Sequence, residues 1–184
     1  MIFINFRILY LHPEKSYTTM KFKEEYYKAF FGGDDEYYLN IIRSYNNGRK
    51  LIFNPYAFFI GLFWMLYRKM YRTIIIWFAA VIVIEIVMST LYDYYFISDT
   101  AYMVYDFGSR FVAASILGFF GNKFYQKEAE RKISKIVANT ESEEEIITKI
   151  GNKGGTTLIP HLIIVIILGV LAYLFHNGYL DSYW

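Results

Sequence analysis

An all-α membrane protein with three transmembrane helices is the fold class this sequence predicts, and three observations carry that expectation. Its apolar residues, 55% of the 184, gather in a few long runs instead of recurring at the spacing of globular helices. Three of those runs approach the ~20 residues needed to cross about 30 Å of hydrocarbon. Apart from Arg110, every Lys and Arg falls on one side of them.

Residues 1–20 read as a doubtful N-terminal extension. Arg7 interrupts the apolar start, and Pro13, Glu14 and Lys15 follow without a small-residue cleavage site, so a signal peptide is not expected. Met20 is the alternative start. Residues 21–53 should be a cytoplasmic segment of two short amphipathic helices. The first, 21–31, stops at Gly32 and Gly33; the second, 36–45, is capped by Asp34 or Asp35 and ended by Asn46, Asn47 and Gly48. Tyr38, Ile41, Ile42 and Tyr45 recur at three- and four-residue spacing and form one apolar stripe.

Residues 54–72 contain the apolar run 56–67, too short to span and stopped by Arg68, Lys69 and Arg72. The run reads as an aromatic-basic helix, interfacial or re-entrant, or equally as a helix packed against the bundle. Trp64, Tyr67, Arg68, Lys69, Tyr71 and Arg72 are its candidate lipid-interface residues, rings at headgroup level and cations toward anionic phosphates. Residues 73–121 form a transmembrane hairpin with spans at 73–92 and 101–121.

Residues 122–157 should continue the second span into water and turn back as a cytoplasmic helical hairpin. Glu128 and Lys132 stand at the favourable i, i+4 spacing, Asn139 breaks the helix, and Thr140 with Glu143 fits a capping box for a helix ending near Ile150. Gly151, Gly154 and Gly155 then read as a hinge, with Thr156 or Thr157 capping the third span and Pro160 in its first turn. That span and an outward tail occupy residues 158–184. The 93–100 loop and the tail carry no Lys or Arg, which places the N-terminus in the cytoplasm and the C-terminus outside.

Three ionisable residues sit at membrane depth: Glu85, Asp106 and Arg110. Folding the first two spans as a hairpin puts Glu85 opposite residue 108, so Arg110 lies roughly 3 Å deeper and within reach. Asp106, one turn before Arg110, competes for the same guanidinium. The cluster is expected to staple the hairpin, or alternatively to relay protons or ions. Gly108, Ala114 and Gly118 offer close-approach surface for helix packing. His161 and His176, near opposite ends of the third span, read as anchors without a visible partner.

With no cysteine, three histidines and no metal-ligand spacing, the chain lacks most catalytic equipment, and neither a metal nor a cofactor is expected. Nineteen Lys and Arg against 17 Asp and Glu leave a net charge of +2 without a basic tract, which argues against nucleic acid.

The stretch 53–71 contains the asparagine-led aromatic run that ends in Trp64, Tyr67, Arg68, Lys69, Met70 and Tyr71; Gly121, Asn122 and Tyr125 follow the hairpin, and Gly154–Thr156 come later. In these pieces the chain resembles a family of small bacterial membrane proteins catalogued only as a domain of unknown function, over roughly residues 53–157. The resemblance implies a multi-span protein of the bacterial inner membrane with no established activity. The expected function is a non-enzymatic interaction subunit or scaffold that meets membrane lipids and another membrane protein or a second copy of itself. The alternative is an oligomeric transporter or ion or proton conductor built on Glu85, Asp106 and Arg110.

Overall fold

The computed structural model of the chain describes residues 20–95 and 98–178. All but Met20 of the extension read at residues 1–20 and most of the tail lie outside them, as does part of the 93–100 loop. Among the described residues there is no strand. Seven α-helices are described, α1 (Glu24–Phe31), α2 (Asp35–Asn46), α3 (Pro55–Tyr67), α4 (Tyr71–Tyr95), α5 (Asp99–Val137), α6 (Glu143–Lys153) and α7 (Ile159–His176), with a short 3-10 turn at Gly32–Asp34 between α1 and α2. Helices α4, α5 and α7 are long and apolar enough to cross a membrane.

Helix α5 runs unbroken for 39 residues, about 58 Å at 1.5 Å per residue, nearly twice a bilayer's hydrocarbon thickness. Its first half is the apolar span and its second half, from about Asn122, becomes the spine of a polar helical domain. Helices α1, α2 and α6 pack around that spine, and α3 lies along the junction, with its most extensive contacts on α5. The core follows from the sequence periods. Tyr26, Tyr27, Phe30 and Phe31 give α1 one buried face, while Tyr38, Ile41 and Ile42 of the predicted stripe bury the corresponding face of α2. Tyr125, Ala129 and Ile133 of α5 and Ile146 and Ile150 of α6 fill the space between.

Close backbone approach decides where α3 lies. Its helix is interrupted at Ile60 (φ −128°, ψ 34°), next to Gly61. A β-carbon on Gly61 would stand 2.5 Å from the Leu117 side chain of α5, and one on Gly121 would stand 2.9 Å from Ala57. The segment 56–67 is therefore packed on the bundle through Ala57, Trp64 and Met65, all buried, while Tyr56, Phe59 and Phe63 stay exposed.

Two caps form that the sequence pattern did not single out, and the predicted ones form only in part. Asn54 caps α3 by accepting from the Ala57 N–H at 3.0 Å, and Ser98 caps α5. Asp34 makes no cap bond to α2; its carboxylate is engaged elsewhere, by Arg68. The Thr140–Glu143 capping box does not form either. Helix α6 starts at Glu143 after Ser142, and the Thr140 hydroxyl instead accepts from Lys149 Nζ at 3.3 Å. Three acids in the first turn of α6 complement its positive end, and Glu143 pairs with Lys23 ahead of α1. Thr157 accepts from the Ile159 N–H at 3.3 Å at the start of α7, with Pro160 in the first turn.

Candidate functional site

The linker from α3 to α4 is three residues long, and two of them turn inward. Lys69 takes a left-handed conformation (φ 54°), unusual for a residue with a β-carbon. This reverses the chain tightly: the Lys69 N–H donates to the Leu66 carbonyl at 3.0 Å and the Met70 N–H to the Met65 carbonyl at 2.9 Å. Met70 is fully buried and Arg68 is 8% exposed. Sequence position alone had set Trp64, Arg68 and Lys69 at a lipid interface. Here Trp64 and Arg68 are interior, because α3 packs that face on α5 and Arg68, just past its end, lies over Tyr38 of α2 and Tyr125 of α5. Tyr71 and Arg72 are the exposed members of the set, and Tyr67 is half-buried.

Arg68 is the centre of the junction. One of its guanidinium nitrogens donates to Asp34 Oδ2 at 2.9 Å. Its Cζ lies over three rings, with centroids at 4.9 Å for Tyr38 and 5.5 Å for both Tyr67 and Tyr125. A planar, weakly hydrated cation suits such a cage; an ammonium does not. Burial pushes the Tyr38 phenol well above its ordinary value, against the opposing effect of Arg68, so the ring meets the cation as a neutral phenol. Residues from the turn before α2, from α2, α3 and α5 thus share one charge.

Two further knots lie beside it. Asn54 and Asn122, each 1% exposed, join α3 to α5: Asn54 Nδ2 donates to Asn122 Oδ1 at 2.8 Å, Asn122 Nδ2 to the Ile52 carbonyl at 3.2 Å, and the Asn54 N–H to the Gly118 carbonyl at 2.8 Å. The third knot gathers on Lys69. Its carbonyl accepts from Lys132 Nζ at 2.8 Å and its own Nζ donates to the Gly154 carbonyl at 2.6 Å. Lys132 also lies 3.5 Å from Glu128, the predicted i, i+4 pair, whose buried carboxylate accepts a bidentate contact from Arg131 at 2.6 and 3.0 Å. The 151–157 segment, expected as a hinge, is clamped: the Gly155 N–H donates to the Phe30 carbonyl at 2.7 Å and the Thr157 N–H to that of Tyr67 at 2.9 Å.

The asparagine pair yields a direct prediction. In Asn122→Ala, Asn54 Nδ2 and the Ile52 carbonyl both lose their partner in the interior, so stability falls by about 2–3 kcal/mol. Thermal unfolding of Asn54→Ala, Asn122→Ala and the double variant in detergent gives the coupling between them. A coupling below about 0.5 kcal/mol would contradict the pairing.

The intramembrane charges are arranged differently from the hairpin expectation. Arg110 donates twice to Asp106 Oδ1, at 3.1 and 2.9 Å, and no ion pair among the described residues joins it to Glu85. The i, i+4 contact costs nothing in tertiary geometry, whereas reaching Glu85 requires α4 and α5 to stay in contact. They diverge instead around an apolar groove of about 590 Å³, lined in part by Ile84, Tyr105, Gly108 and Val112. Gly108 accordingly has nothing near the place of its missing side chain, and Ala114 is half-buried. Gly118 does provide close approach: a β-carbon there would stand 2.7 Å from Phe53 and 3.0 Å from Phe58. Gly61 and Gly121 play the same part and had no distinguishing local signal. Helix α7 has no buried residue and rests mainly on α3. His161 has a partner after all, with Nε2 at 3.1 Å from the Phe63 carbonyl. His176 closes the last turn of α7. No group of three or more His, Asp or Glu that could hold a metal occurs among the described residues.

Compared with known families, residues 20–131 match the model described as "Protein of unknown function (DUF2628)". The match takes in the two N-terminal helices, which the resemblance read from residues 53–157 left out, and it ends before α6, α7 and the Gly154–Thr156 piece. No curated protein and no solved structure matches the chain.

Proposed function

The chain belongs to the DUF2628 family, a family of proteins of unknown function, and we propose that it acts as a non-enzymatic interaction subunit or scaffold in the bacterial inner membrane. The observation that carries this reading is how little its spans cover one another. Helices α4 and α5 diverge, α7 stands apart from both, and nearly all their large apolar side chains face outward. Lipid tails satisfy apolar side chains as well as a helix does. Glu85 is another matter, because it is exposed near the middle of α4 and has no ion pair among the described residues. Its charge is felt by Tyr105 on α5, but a carboxylate without a cation at membrane depth is costly, and a donor on a neighbouring helix removes the cost. Neighbouring membrane helices, from another protein or a second copy, are the partners this surface suits. The one-sided Lys and Arg distribution supports a cytoplasmic N-terminus and polar domain and an outside C-terminus.

The test is to purify the full chain gently and identify what accompanies it. A photo-crosslinking residue at Ile84 or Val112 is expected to capture a protein at fixed stoichiometry, and Glu85→Leu is expected to weaken that association by about 1–2 kcal/mol. Adducts with lipid alone, together with an unchanged Glu85→Leu sample, would defeat the reading. The competing proposal, an oligomeric ion or proton conductor, also draws on the exposed Glu85. It requires pH-dependent flux in liposomes that disappears in Glu85→Gln.

A further inference from the structure

Below the Arg68 cage, between the turn before α2 and helices α3 and α7, lies a pocket of about 560 Å³. Asp34, Arg68 and His161 form its polar end, and Tyr56, Ile60 and Phe63 form the apolar side, where all three are substantially exposed. The pocket opens where α7 begins its apolar run, so a polar end and a lipid-facing end meet in one cavity.

The polar end has a definite hydrogen-bonding sign. Arg68 is nine-tenths buried, and its Nε makes no hydrogen bond. The neighbouring Tyr125 hydroxyl makes none either. This is a free donor. His161 Nε2 faces the Phe63 carbonyl at 3.1 Å, and a carbonyl can only accept, so Nε2 carries the hydrogen. In the neutral ring Nδ1 is then an acceptor, and it too is buried without a partner. Asp34, half-exposed beside Arg68, adds a carboxylate. Arg68, Asp34 and His161 thus line the pocket together, one cation beside two acceptors, one of them anionic.

A plain anion fits this arrangement poorly, because Asp34 already offsets Arg68. A ligand with one negative and one positive group matches both and adds no net charge to the pair. We propose that the pocket binds the headgroup of an ethanolamine phospholipid. Its phosphate is taken by Arg68, its primary ammonium by Asp34 and His161 Nδ1, and its acyl chain lies along Ile60 and Phe63. The three N–H bonds of the ammonium are the discriminating feature, since a choline headgroup has none to give to Nδ1 and a glycerol headgroup has no positive charge for Asp34.

The test is native mass spectrometry of the full chain in mild detergent, titrated with phosphatidylethanolamine, phosphatidylcholine and phosphatidylglycerol of identical acyl chains. The ethanolamine lipid is expected to bind about tenfold more tightly than either other, the scale of one hydrogen bond to a charged group. His161→Phe should bring the preference over the choline lipid within about twofold, and Asp34→Asn, which removes the carboxylate facing the positive charge, should bring the preference over the glycerol lipid within about twofold, with thermal unfolding reporting whether each variant still folds. Equal binding of the three lipids, a preference for phosphatidylglycerol, or a preference surviving both substitutions would overturn the proposal. Free phosphoethanolamine separates the two sources of this chemistry. Displacement of the lipid only at large excess supports a membrane lipid, and binding as tight as the lipid's would assign the site to a soluble phosphoester instead.

Discussion

Cutting Arg68 back to alanine is expected to destabilise the polar domain by about 4 kcal/mol, in the range for truncating a large buried side chain. Two losses combine. The guanidinium fills the space between Tyr38, Tyr67 and Tyr125, and each ring contact contributes on the order of 1 kcal/mol. Asp34 also loses its charged partner, a smaller cost because that carboxylate reaches water. Arg68→Lys keeps the charge but should recover less than half of the loss, since a compact, strongly hydrated ammonium cannot fill the space among three rings and still reach Asp34. Arg72→Ala is the internal control: that side chain is exposed four residues away, and its removal should change stability by less than about 0.5 kcal/mol. The comparison is made by thermal unfolding in one detergent. Equal melting temperatures for Arg68→Ala and Arg72→Ala would show both to be surface cations, as the basic run first reads.

That reversal marks where local pattern stops informing. Span positions depend on length and apolarity alone, so α4, α5 and α7 were readable to within a few residues. The same holds for the α2 stripe and the continuation of α5, which follow from helical period and propensity. Arg68 is a different problem. Whether a cation after an aromatic run snorkels or turns inward depends on a left-handed Lys69, and neither composition nor spacing indicates that a lysine adopts it. Of the residues that carried the family resemblance, Asn54, Trp64, Arg68, Met70, Gly121, Asn122 and Tyr125 proved to be one buried junction, while Tyr71 stays exposed. Their identity was on the page, but their proximity was not, because α3 and α5 meet across more than sixty residues of chain. Glu85 and Arg110 failed in the opposite way. Counting turns gave a sensible relative depth, but it assumed that consecutive spans touch, and the α4–α5 groove separates them. The capping box at Thr140 and Glu143 failed for a third reason, a tertiary competitor: Lys149 claims the hydroxyl, and α6 starts at Glu143 without it.

Gly154→Ala tests the clamp that joins α6 to α7, and its expected cost is about 3 kcal/mol, the upper range for overpacking. A β-carbon there would stand 2.1 Å from the Phe30 carbonyl oxygen and 2.7 and 2.8 Å from Phe30 C and Cα. These are backbone atoms of a buried helix, so relief must come from moving the 154–157 segment. Three bonds depend on its present course: Lys69 Nζ to the Gly154 carbonyl, the Gly155 N–H to Phe30, and the Thr157 N–H to Tyr67. Gly33→Ala, which meets nothing within 4 Å, controls for loss of a glycine as such and should be nearly neutral. Beyond a lower melting temperature, Gly154→Ala should open the segment between α6 and α7 to protease while the α1–α2 segment stays protected. If both variants melt together and resist cleavage equally, the segment is a free hinge and α7 is only tethered to the polar domain. If they separate as expected, the 154–157 segment is held to the polar domain through Lys69, Phe30 and Tyr67, and α7 starts from a fixed point on it.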